Sequence, residues 1–171
     1  MRRTAILSAA LVALSLAAAA GAAPLAGDGS LVVTNGAAPD DTPVVALKKF
    51  TGSVIGRVVG VGKIIIDGGP NCDNGQVVGA GRPQSVKQSD TAQRWSGPDF
   101  SFRVIGAPGC AYTILVWSGG RASLIASGKG SVRLAGMPDT PSGDGRYSLN
   151  DSDFKSLPGT QTAWLAVGDG G

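Results

Sequence analysis

The chain has 171 residues, with 15 basic against 12 acidic side chains, and it contains neither histidine nor glutamate. The missing histidine excludes Ser-His-Asp and Cys-His catalytic machinery, an imidazole zinc site and a histidine switch near neutral pH. Glutamate favours helix interiors and aspartate favours turns, so an acid inventory made only of Asp, with 27 Gly and 10 Pro, points to an all-β chain with many turns.

The chain opens Met1-Arg2-Arg3, continues through an apolar run from Ala5 to Ala20 and reaches small residues at Ala20-Gly21-Ala22. This is the pattern of a secretory signal peptide over residues 1–22, and the run is too short for a comfortable bilayer span. Ala5 occupies the position where a twin-arginine signal wants a large apolar residue, so ordinary secretion is the reading. Removing 22 of 171 residues leaves 149, enough for one domain. Arg2 and Arg3 leave with the signal, and the charge falls from +3 to +1. Nucleic acid and anionic membrane need a concentrated basic face, and the sequence shows no basic cluster. The expectation is therefore a secreted or cell-envelope protein with no nucleic-acid partner and no transmembrane segment in the mature chain.

Residues 23–43 read as a flexible leader with one short edge strand, Leu31-Val32-Val33-Thr34, ahead of a single β domain over 44–171. A strand from Pro43 to Lys48 precedes the longest apolar segment, Ser53 to Asp67. Gly52, Gly56, Gly60 and Gly62 share parity there with Val54, Val58, Ile64 and Ile66, while Arg57 and Lys63 fall in the other set. Glycine repeated on one face of a long strand marks a bend, bulge or close backbone approach. The strand should curve around a barrel or pass between two sheets.

Asp67 to Gly75 is a dense turn. Its Asp and Asn residues lack calcium-loop spacing, because Gly69 stands where a ligand is needed. No cofactor or metal is implied. Cys72 and Cys110 are the two cysteines of a chain read as secreted, and neither belongs to a Cys-x-x-Cys pair; a structural disulfide is expected.

From Asp99 to Val104 the alternation puts Phe100, Phe102 and Val104 on one face and Arg103 on the other. Cys110 to Trp117 is β-branched and aromatic, as for a strand buried on both faces. Gly119-Gly120 predicts a type I′ hairpin turn, Gly128-Lys129-Gly130 predicts a second turn, and Ser131 to Leu134 resumes the alternation. Four consecutive strands would make a meander. Met137 to Gly145 reads as a loop, Arg146 to Leu149 as a short strand, Asn150 to Leu157 as a single helical turn and Ala163 to Val167 as a last strand.

Gly128-Lys129-Gly130 lacks the other residues of a phosphate loop. Ser152-Asp153-Phe154-Lys155 fits Ser-x-x-Lys, the one nucleophile arrangement open to a chain without histidine, but Ser-Asp-Asn and Lys-Thr-Gly are absent. Leu157-Pro158-Gly159-Thr160 departs from a sortase signal at Gln161. Trp95, in a polar, turn-like context, and Trp164 are the candidates for ligand-facing aromatics on a sugar-binding surface.

The segments Arg94 to Arg103 and Ala126 to Val132, together with Gly52-Ser53-Val54-Ile55-Gly56-Arg57-Val58, resemble a group of uncharacterised secreted proteins of actinobacteria. The resemblance implies a fold and a compartment, and no activity. The combined expectation is a disulfide-stapled antiparallel β-sandwich or partly closed β-barrel without catalytic residues. It would bind or space something in the cell envelope; the alternatives are a barrel holding a small apolar ligand, a carbohydrate-binding module and, last, a Ser-Lys hydrolase.

Overall fold

A computed structural model describes residues 26–79, 83–137 and 145–169. The signal-peptide reading lies outside these residues, as does most of the loop between Met137 and Gly145. The described residues form ten strands and no helix: β1 (Gly29–Gly36), β2 (Val45–Asp67), β3 (Gln76–Gly79), β4 (Gln84–Lys87), β5 (Ala92–Ile105), β6 (Tyr112–Ser118), β7 (Arg121–Leu134), β8 (Arg146–Leu149), β9 (Lys155–Ser156) and β10 (Leu165–Val167). All pairings are antiparallel within one sheet. The outermost strands β3, β4, β9 and β10 do not pair with one another, so the sheet stays open, as a sandwich or partly open barrel does.

The 23-residue β2 organises the sheet. The two segments read separately from sequence, before and after Lys49, are one strand with an irregularity between Lys48 and Thr51. Its middle, residues 53–58, pairs with β5 on one edge and β7 on the other. Its two ends share a neighbour, because Val45–Phe50 and Gly62–Asp67 both pair with β6. A strand can meet the same partner at both ends only by bending; its ladders are interrupted at Lys49, with φ 50°, and again at Gly60. Gly60 sits in a bulge with φ 80°, where the register to β5 shifts between Val58 and Val61.

The expected meander does not form. β6 and β7 do not pair with each other; they run on in one direction along β2, with Val59 opposite Arg121 and Gly62 opposite Ser118. Gly119-Gly120 thus lies opposite the Gly60-Val61 bulge instead of turning a hairpin. A ladder along the whole of β2 satisfies more backbone groups than a local hairpin would. The second expected turn is also absent: Gly128-Lys129-Gly130 lies inside β7, where Gly128 has φ 152° and packs flat against the Thr51 carbonyl. β1, read as an edge strand, is interior, paired with β7 and β8.

The helical turn expected after Asn150 is a hairpin turn. Asn150 and Asp151 have φ 51° and 58°, and the Ser152 N–H donates to the Leu149 carbonyl at 3.1 Å, as in a type I′ turn. The inward parity of β2 holds as read, with Val54, Val58, Ile64 and Ile66 fully buried. They join Phe50, Phe100, Phe102 and Tyr112 in one hydrophobic cluster. Cys72 and Cys110 form the expected disulfide, with Cα atoms 6.0 Å apart. It ties the turn after β2 to the start of β6.

Candidate functional site

Side chains alternate across a sheet, so the residues between the buried ones on β3, β5, β2, β7 and β1 point outward together. One row across the strands reads Gln76, Arg103, Ile55, Ile125 and Val32. Two residues along, Val78, Ser101, Arg57 and Ser123 form the next row, with Thr34 and Arg146 beyond them on β1 and β8. Val59 beside Arg121 bounds one end of this face, and Ile105, Ser53 and Ser127 bound the other.

Ten large apolar side chains are exposed among the described residues, and five of them (Ile55, Val59, Val78, Ile105 and Ile125, each 42–57% exposed) lie on this one face. Scattered singly they would need no explanation; gathered, they mark an interaction surface. Arg57, Arg103, Arg121 and Arg146 stand among them. The salt bridge from Lys87 to Asp90 lies away from the face, on β4 and the turn after it. The acids at the rim are engaged: Asp99 Oδ1 accepts the Gly60 N–H at 2.9 Å, and Asp151 Oδ1 accepts the Ser30 hydroxyl at 2.7 Å. Neither hydrogen bond removes a carboxylate's charge, so four arginines stand against these two rim acids and the face is apolar with a cationic excess.

Sequence parity had already turned Arg57 and Arg103 away from the buried set. What it missed was their meeting, since the four arginines come from four strands spread between residues 57 and 146. Strand pairing, and not proximity in sequence, brings these arginines to one face.

Of the two aromatic candidates, Trp95 is placed differently from expectation. Trp95 is 8% exposed and packs in the core, because β5 sets it opposite the inward Ile64; its polar sequence neighbours point the other way. Trp164 is 38% exposed, but the Arg133 guanidinium lies 4.5 Å from its ring centre and Lys48 Nζ 5.7 Å. Trp117 carries Lys63 Nζ at 4.0 Å. These cations compete with a sugar for the rings they cover, and Trp95, packed in the core, forms no shared platform with Trp164.

Among the described residues, the central side chains Phe50, Val54, Val58, Ile64, Ile66 and Ile114 are wholly inaccessible to solvent and pack in one cluster. The Ser-x-x-Lys geometry does not arise, because Ser152 ends the Asn150-Asp151 turn and Lys155 is exposed on β9, whereas activation needs both on one helical turn. In the turn after β2, Asp67, Asp73 and Asn74 each accept a backbone N–H, from Gly69, Gly75 and Gly68 at 3.0 Å. Those oxygens serve the turn. An open cleft of about 320 Å³ lies between the Pro39–Pro43 segment and Gly159–Gln161, with Asp41 as its single charged residue.

Among the described residues no helix is long and apolar enough to cross a membrane. The chain matches no family model, and no curated protein or solved structure matches it.

Proposed function

We propose that this chain is a secreted or cell-envelope binding domain that works by surface contact, without catalysis, through the outward face of β3, β5, β2, β7, β1 and β8. The carrying observation is the concentration of five exposed aliphatic side chains and four arginines on that face. Leaving such side chains in water costs solubility and contributes nothing to the core. The compartment reading rests on the secretory pattern of residues 1–22 and is supported by the Cys72–Cys110 bridge, which suits an oxidising environment.

The test follows the distribution of the protein between envelope and medium in cells secreting it. The Ile55→Ser/Ile125→Ser pair should move the protein from the envelope to the medium with its disulfide and melting temperature unchanged. Turnover on a hydrolase panel, abolished by Ser152→Ala or Lys155→Ala, would overturn the reading in favour of an enzyme.

A further inference from the structure

We propose that the partner of this face is the anionic headgroup surface of a phospholipid leaflet. The inference rests on the surface-contact reading above and names what that surface touches. Six strands from β3 to β8 at ~4.8 Å spacing, and about seven residues along β2, give a face of roughly 24 by 20 Å. A second copy of the chain is a poor occupant, because pairing the face with itself sets Arg57 and Arg103 against the same cations. A polyanionic glycan would neutralise the arginines but leave Ile55, Ile125 and Ile105 covered by polar groups, and no aromatic ring lies in the rows of this face to stack on a sugar.

A phospholipid leaflet answers both chemistries. Guanidinium groups take phosphate oxygens in paired hydrogen bonds, and short aliphatic side chains reach the boundary between headgroup and acyl chain. Ser53, Ser101, Ser123 and Ser127, set between them on the same face, add hydroxyls at headgroup depth. The negative potential of an anionic leaflet attracts a cationic face at close range and is screened by salt. A leaflet also needs no pocket, and this face is an open sheet. The mature net charge of +1 is no obstacle, because attraction within a screening length of about 10 Å depends on the charges of the approaching face.

The experiment sediments the purified, disulfide-intact protein with sucrose-loaded vesicles of phosphatidylcholine, alone or with phosphatidylglycerol. Binding should require phosphatidylglycerol and fall as salt is raised. Arg57→Gln/Arg103→Gln should weaken it about 30-fold, and Ile55→Ser/Ile125→Ser roughly 10-fold. The charge-matched control Lys63→Gln/Lys87→Gln, away from the face, should leave it within about twofold. Each variant is first shown to melt with the parent. Failure of the parent to bind phosphatidylglycerol vesicles, or an equal loss in the control pair, overturns the lipid assignment. If the parent fails on vesicles while Ile55→Ser/Ile125→Ser still releases the protein from the envelope, the lipid falls and the surface-contact reading stands.

Discussion

At Gly128 the backbone of β7 passes so close to Thr51 that a Cβ would overlap the Thr51 carbonyl, and its φ of 152° is one that side chains resist. Gly128→Ala should therefore cost at least about 2 kcal/mol, read from denaturant unfolding. Gly56 has a different reason to be glycine, because a Cβ there would meet the ring of Phe102. Tyr112 tests the opposite effect: its ring fills the core at 1% exposure, and its hydroxyl has no hydrogen-bond partner among the described residues. Burying an unpaired hydroxyl is costly, so Tyr112→Phe should keep the packing and hold or raise stability by up to about 1 kcal/mol. Glycine parity on β2 was legible in the sequence because it depends only on position along one strand. The neighbours that require each glycine were not, since Thr51, Phe102 and Gly128 meet only through pairing.

Among the elements, the Asn150-Asp151 turn does more than join β8 to β9. Asn150 Oδ1 accepts the Gly168 N–H at 2.9 Å and its amide donates to the Ala166 carbonyl at 3.2 Å, so the turn also clamps β10. Asn tolerates positive φ where most residues do not. Asn150→Ala should lose both the turn preference and the two contacts, about 1–3 kcal/mol, and amide exchange should accelerate in Leu165–Val167 ahead of β2. The helical reading of this segment failed because Phe154 and Leu157 imitate helical spacing, while Asp151, one of the left-handed pair that decides the turn, looks the same in sequence as a helix cap. The hairpin expected at Gly119-Gly120 failed for a related reason: two glycines permit a sharp turn or a kink equally, and the long neighbour β2 selects the kink.

For the molecule as a whole, the Cys72–Cys110 bridge closes a loop of 38 residues in sequence separation, which loop-closure entropy values at about 4 kcal/mol. Cys72→Ser/Cys110→Ser should lower unfolding free energy by about 2–5 kcal/mol, measured by chemical denaturation of both forms. The outward face responds in the opposite manner: its side chains leave the core untouched, so changes there should move stability by no more than about 0.5 kcal/mol while altering what the protein contacts. By itself the sequence determined the all-β character, the inward and outward sets along β2 and the partners of the disulfide. These depend on composition, on a local period of two and on there being only two cysteines. The strand after Cys110, read as buried on both faces, buries one face fully and the other only in part. Tertiary structure alone decided that β6 and β7 continue past Gly119-Gly120 along one bent strand, that Trp95 turns inward, and that four arginines dispersed in sequence meet among isoleucines and valines. Strand pairing is non-local, and a row across a sheet has no signature along the chain.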